Sequence, residues 1–194
     1  GPTMYRLPMV ETTPSFDTAK DFVPVSLLAR FEFAVVVGKG IDAKDWPSFV
    51  AEIKADPAKA VFGVPSNGTI PHFTGSKIEK ELGIKMTRVA YRGSAPIITD
   101  LVGGHIPFGI VTLSDAIPQH QAGGVRILAV SSAERSPFLP DIPALSEFGV
   151  NPGFVSYFAL YAPANVSAPV AQRLYEEFTR PLKTPQGAKF VEAQ

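Results

Sequence analysis

The chain has 194 residues, 45% of them apolar and 19% charged, which is enough apolar material for a core and too little charge for a disordered chain. Lys plus Arg and Asp plus Glu each total 18, so the zero formal net charge removes the usual electrostatic case for nucleic acid or an anionic membrane, while leaving room for a local basic pocket. The absence of cysteine excludes disulfide scaffolds, thiolate catalysis, iron–sulfur clusters and cysteine-based zinc sites, and leaves the redox compartment open.

No stretch approaches the roughly 20 apolar residues of a membrane helix. The opening Gly1-Pro2-Thr3-Met4-Tyr5-Arg6 lacks the basic and apolar regions of a secretion leader. The expectation is either a protein that is not exported or a leader that lies outside this chain. Residues 1–24 carry Pro2, Pro8, Pro14 and Pro24 and read as mostly irregular. The run VSLLARFEFAVVV, 25–37, is rich in β-formers and apolar enough for a buried strand. Asp45 then precedes a helix with Pro47 in its first turn and an apolar stripe of Trp46, Phe49, Val50 and Ile53.

From there the chain alternates. The pattern predicts strands at 61–64, 86–91, 107–111 and 126–130 (continuing to Ser132), with helices at 71–82, 95–102 and 115–122 between them. Strands alternating with short helices predict an α/β fold built of βαβ units, with a mostly parallel sheet. Gly103-Gly104 and Gly123-Gly124 fall where helices should end. Residues 133–153, with Pro137, Pro140, Pro143 and Pro152, read as a connecting segment with a short helical stretch at 144–148. A buried strand at 154–162 follows, then a helix at 168–180 with Val170, Leu174 and Phe178 on one face, and the start of another at 185–194.

Two strand-to-helix junctions share the pattern Gly-[Ser/Thr]-x-Pro: Ser66-Asn67-Gly68-Thr69-Ile70-Pro71-His72 and Tyr91-Arg92-Gly93-Ser94-Ala95-Pro96. Glycine permits a tight turn and a close backbone approach, Ser or Thr is suited to an N-cap, and proline fits the first helical turn. Each junction would leave N–H groups and a positive dipole end at the carboxyl edge of a parallel sheet, where a carboxylate or phosphate can sit. The same residues also serve ordinary helix capping, and both readings stand on sequence alone. Arg92 is suited to pairing with an anion or to a solvated surface, and Asn67 to a ligand or to its own turn.

His72, His105 and His120 are scattered without metal-ligand spacing, and HExxH, GxSxG, GxxxxGK[ST] and a post-strand GxGxxG are all absent. Nothing orders a serine, a histidine and an aspartate into a triad. The 14 phenylalanines and five tyrosines read as core and pocket lining. No residue pattern asks for a nucleophile.

The segment Ala122-Gly123-Gly124-Val125-Arg126-Ile127-Leu128-Ala129-Val130-Ser131-Ser132-Ala133-Glu134-Arg135, followed by Leu139-Pro140-Asp141-Ile142-Pro143-Ala144-Leu145-Ser146-Glu147, resembles the tripartite tricarboxylate transporter receptors, the Bug-type periplasmic solute-binding proteins. Lys20-Asp21-Phe22-Val23-Pro24-Val25 and both glycine junctions match the family pattern in the same order, so the resemblance covers essentially the whole chain. It implies a two-lobed, Venus-flytrap, periplasmic-binding-protein-like α/β receptor that captures a small carboxylate in the cleft. Such a receptor delivers its ligand to membrane transporter subunits, one large and one small. It implies no catalysis, no metal and no obligatory cofactor, no nucleic acid partner, a monomer, and a periplasmic location.

Carried over residue by residue, the ligand loops of the second lobe fall at Ser66, Asn67, Gly68 and Thr69 and at Tyr91, Arg92, Gly93, Ser94 and Ala95. The resemblance implies a continuous lobe at 39–129 and a discontinuous one at 1–38 and 130–194, with crossover strands near 25–37, 131–133 and 154–162. Ala90 stands where the family often has proline, Ala144 where threonine is usual, and Tyr157 and Ala159 near a usual Trp and Gly, which points to an altered pocket or hinge within the same fold. The family's opening strand and its first-lobe carboxylate loop are expected before residue 1, and most of its closing helix after Gln194. An incomplete chain of this kind could keep the fold without the activity. The alternative from another class is an α/β enzyme acting on a small carboxylated or phosphorylated metabolite, with His72 or Asp115 as its base.

Overall fold

The computed structural model describes residues 16–151, 153 and 156–192. In chain order the helices are α1 (Thr18–Asp21), α2 (Trp46–Ala55), α3 (Ile70–Leu82), α4 (Ser94–Gly103), α5 (Leu113–Gln121), α6 (Ala168–Thr179) and α7 (Pro185–Glu192). The strands are β1 (Phe22–Phe31), β2 (Phe33–Val37), β3 (Val61–Val64), β4 (Thr87–Ala90), β5 (Phe108–Thr112), β6 (Arg126–Val130) and β7 (Ser156–Pro163). Two compact units result: Glu32–Phe154, and Gly1–Phe31 with Val155–Gln194.

The run 25–37, expected as one buried strand, is two strands in two sheets and two units. β1 pairs antiparallel with β7, from Phe22 opposite Pro163 to Phe31 opposite Ser156. Beyond Glu32 the chain FAVVV is buried at every position, as a strand covered on both faces must be. Pro24, read as part of an irregular opening, lies inside β1 next to a break in register, a position where a missing N–H is tolerated. In the rest of that opening Thr18–Asp21 form α1 and Phe22 and Val23 begin β1 instead of irregular chain, while 1–15 lie outside the described residues, as do Pro152, residues 154 and 155 of the 154–162 strand, and residues 193 and 194.

The larger unit holds a five-stranded sheet of order β4-β3-β5-β2-β6. β3 pairs parallel with β4 and β5, whereas β2 runs antiparallel to both β5 and β6. Four of the five strands therefore point one way, and β2 is the single reversed member. Phe108 on β5 packs edge-on to Phe49 of α2 at 4.9 Å and stacks on Phe62 of β3 at 5.6 Å. α2 starts as expected, with Asp45 accepting from the Ser48 amide at 2.9 Å and Trp46, Phe49 and Ile53 buried.

Gly63 and Gly109 lie opposite each other in the β3–β5 register. A Cβ on Gly109 would sit 2.6 Å from Ile97 Cγ2 of α4, and one on Gly63 would sit 3.0 Å from the same atom. The two missing side chains form the notch into which Ile97 fits, and this fixes how closely α4 approaches the sheet.

The larger unit extends beyond the 39–129 expected from the resemblance. Residues 131–150 stay with this sheet because Val130 bridges to Ala144, Leu139 and Ile142 pack on its core, and Leu145 is fully buried. Phe148 stacks on Trp46 at 5.7 Å, and Arg135 forms a two-pronged pair with Glu147 at 2.8 Å for each prong. In the smaller unit the apolar face expected on α6 stays open: Val170 is 50% and Phe178 49% exposed, with Leu174 half-buried.

Gly109→Ala drives its new methyl into Ile97 and is expected to destabilise the protein by about 1–3 kcal/mol, read from the midpoint of denaturant unfolding. The paired Gly109→Ala and Ile97→Ala protein should lose less than the sum of the two single losses, because the second change vacates the contested space.

Candidate binding site

A parallel strand followed by a helix places the helix N-terminus at the strand's carboxyl end. α3, α4 and α5 follow β3, β4 and β5, so their first turns gather along one edge of the sheet. Backbone bonds lock these junctions side by side. Tyr91 N–H donates to Val64 O at 2.9 Å and Gly93 N–H to Pro65 O at 3.0 Å, joining the first two loops. The Thr112 amide donates to Ser94 Oγ at 3.2 Å, and Ser94 Oγ donates to Thr112 Oγ1 at 3.3 Å, joining the second to the third. Leu113 N–H reaches Glu32 O at 2.9 Å, and Phe33 N–H reaches Ser131 Oγ at 3.1 Å, which brings the end of β6 to the same edge.

The residues singled out by sequence do come together here. Ser66 and Asn67 are exposed at the turn, and Gly68 and Thr69 are half-buried below it. Gly68 takes a φ of +69° and Gly93 a φ of +103°, conformations that other residues adopt only with strain. Arg92 and Ala95 are exposed, and none of the described ion pairs uses Arg92. Ser94 is only 7% exposed, with its hydroxyl held by Thr112. Tyr91 packs on the core beneath Gly63 and donates its hydroxyl to Asp100 Oδ2 at 2.7 Å.

The hydroxyls do not cap as the sequence suggested. Thr69 occupies the N-cap of α3, yet its Oγ1 donates back to Ser66 O at 2.8 Å. Gly93 is the N-cap of α4, and Ser94 is already helical. Thr112 precedes α5 and also provides no side-chain cap. Three helices of 13, 10 and 9 residues thus begin at one edge without a side-chain cap. Their dipoles put partial positive charge there; neither 66–69 nor 91–95 contains a carboxylate to cancel it, whereas the third helix carries Asp115 in its first turn. The third junction and Ser131 escaped the sequence reading because Thr112-Leu113-Ser114 has neither glycine nor proline to mark a turn. Helix α5 accordingly starts two residues earlier than the expected 115.

His72 lies one turn into α3, accepting the Gly68 amide on Nδ1 at 3.0 Å, with Nε2 against Arg88 Nη1. Burial and then the Arg88 charge hold its pKa below the ordinary histidine value. Asp115, the other candidate base, is exposed in the first turn of α5. Among the described residues no group of three or more His, Asp or Glu is placed to hold a metal ion.

A family model for the tripartite tricarboxylate transporter family receptors matches residues 1–194. The chain belongs to this family. Among curated relatives, a UPF0065 protein of the TAR-I ttuE-ttuC' intergenic region of Agrobacterium vitis is 30% identical over 172 residues, 88% of this chain and 50% of its own length. Protein BugT of Bordetella pertussis is 27% identical over 165 residues, 84% of this chain and 50% of its own. The chain thus spans about half the length of these relatives. A solved periplasmic transporter superposes with a TM-score of 0.88 at 29% identity, covering 99% of this chain and 65% of that one. R. palustris Rpa4515, solved with adipate, gives 0.86 at 29% identity with the same coverage. The periplasmic binding protein BugD, at 21% identity and a TM-score of 0.85 over 96% of this chain and 62% of that one, shares the fold.

Burial, followed by the bond to Asp100 and its charge, pushes the Tyr91 hydroxyl up to about 12. Because the raised value favours the neutral phenol in the folded state, the contribution is intact below the ordinary tyrosine value of about 10 and is lost as pH climbs towards 12. Ultraviolet titration should show a late-ionising component that is absent in Tyr91→Phe and moved to lower pH in Asp100→Asn.

Proposed function

We propose that this chain serves as an extracytoplasmic solute receptor, binding a small carboxylate at the carboxyl edge of the five-stranded sheet and passing it to the membrane subunits of a tripartite transporter. The observation that carries this reading is the row of three uncapped helix N-termini, clasped together and free of acidic side chains in the 66–69 and 91–95 loops. Such a row satisfies an anion with backbone N–H groups and dipoles. Arg92, exposed at the rim, adds the one full positive charge of the 91–95 loop and suits a carboxylate through its forked donors. Membership of a receptor family and a relative solved with adipate support the same reading.

Function then consists of capture and release, without bond making. His72 has its Nδ1 engaged by a backbone amide, which removes that nitrogen from service as a base. Export to the periplasm, operation as a monomer and the absence of a cofactor complete the proposal.

Thermal unfolding of this chain should shift upward with adipate or another small dicarboxylate, by the equivalent of about 2.7 kcal/mol at a hundredfold excess over Kd. Arg92→Ala should weaken that affinity about ten- to a hundredfold and leave the ligand-free melt in place. Cooperative melting with no shift from any di- or tricarboxylate, amino acid or aromatic acid, or chemical turnover of one of them, would sink the receptor reading.

A further inference from the structure

The histidine at the start of α3 has an arrangement that simple packing does not require. A neutral imidazole offers one lone pair and one N–H. Gly68 N–H lies 3.0 Å from Nδ1, and when that nitrogen accepts it the ring proton sits on Nε2. Nε2 lies against Arg88 of β4, whose guanidinium has donors and no acceptor, so a neutral ring accepts from one of these two neighbours at a time and a protonated ring from neither. Phe73 covers a ring face, centroids 5.2 Å apart and planes within 9°. Arg88 is the charged group among the described residues that acts on this ring, and the loop side presents only the Gly68 amide. Every polar neighbour is a donor. A doubly protonated ring would place N–H against N–H on one side and cation against cation on the other.

We propose that His72 is a proton-sensitive latch on the 66–69 loop: the neutral ring holds Gly68 in the conformation that receives a carboxylate, and protonation frees the loop and promotes release. The inference rests on the carboxylate reading above and assigns His72 a positioning role, acting through the loop without touching the ligand. The loop has few other side-chain ties: Thr69 Oγ1 to Ser66 O at 2.8 Å and a long Ser66 Oγ to Asn67 O contact at 3.4 Å. Gly68, at φ +69° with open space where a Cβ would stand, has no side chain to anchor it once the ring lets go. The depressed pKa of the ring agrees with this geometry, since burial and Arg88 both favour the neutral form. The sign follows: the latch is closed above the ordinary histidine value of about 6.5 and opens as pH falls below it.

The test is run on the whole chain from about pH 8 to about pH 5.5, with adipate as probe and His72→Asn as the reference, because the asparagine Oδ1 offers an acceptor near Nδ1 that does not titrate in this range. Adipate's own protonation affects both proteins alike and cancels in the comparison. Loss of one such bond should weaken wild-type binding about three- to tenfold more than His72→Asn binding across this range. In the ligand-free chain, Gly68 amide protection, corrected for intrinsic exchange, should fall in acid in the wild type and stay level in His72→Asn. Parallel affinity curves for the two proteins overturn the latch. So does wild-type affinity that rises in acid relative to His72→Asn, which would make the ring a direct cationic anchor. Gly68 protection that ignores pH overturns it as well, whatever adipate does. If protection follows His72 but no carboxylate binds at any pH, the receptor reading fails, and the control of loop shape by the ring survives.

Discussion

How close a helix can come to a sheet is limited by the side chains caught between them, and in the larger unit that limit is set by two glycines facing one isoleucine. Gly63 and Gly109 sit opposite each other on adjacent strands, and Ile97 fills the space they vacate. This contact seats α4, and the seat decides where the chain just before it must run. Tyr91 tucks beneath Gly63, Gly93 bonds to Pro65, and Ser94 reaches Thr112. A bulkier pair of residues would lift the helix and pull the two glycine loops apart. The geometry of the proposed binding edge is therefore governed by packing between α4 and the sheet.

An electrically neutral protein can still present an anion site, because the charge that matters is partial and carried by the backbone. Each of the three helices begins with no side-chain hydrogen bond at its N-cap, and their dipoles add where the first turns lie side by side. The only full charge of the two glycine loops is Arg92, which sits exposed at the rim. A site of the proposed design would distinguish ligands by shape and hydrogen-bond geometry, since oriented dipoles lose strength within a turn of the helix end. It also suits a receptor that must let go, as backbone donors hold a carboxylate without the long-range pull of a cluster of full charges.

Much of this was legible in the residues. The βα alternation from 61 to 130, the helix after Asp45 and both glycine loops have local causes: periodicity, an acidic cap, and glycine or proline at junctions. Four things were not. The break at Glu32 hides inside an apolar run, because β1 and β2 differ in sheet rather than in composition. The reversal of β2 leaves no mark in sequence, since a strand buried on both faces reads the same in either direction. The role of Thr69 and Ser94 was misread as capping because a hydroxyl at that position has several partners in reach, and distant chain settles which one wins: Thr112, 18 residues away, claims Ser94. Residues 131–150, proline-rich and connector-like, join the larger unit through Leu139, Ile142 and Leu145, apolar positions too sparse to show a period.

The reversed strand also constrains the order in which the molecule can assemble. β3, α3, β4, α4 and β5 form from neighbouring segments, but β2 precedes them all and pairs only with partners far downstream, Phe33 with Thr112 and Ala34 with Val130. β1 waits longer still, since Phe22 pairs with Pro163. On a ribosome the segment FAVVV emerges early and has no ladder to enter until β5 and then β6 have left the exit tunnel. Such a run is short, uncharged and rich in β-branched residues, the composition that self-associates when left unpaired. The high sequence separation of these pairings predicts slow closure, with loop entropy spent before the sheet is complete. A nascent chain of this kind gains from being held unfolded until its whole length is available, and an exported protein that folds only after translocation meets that condition by the route it travels.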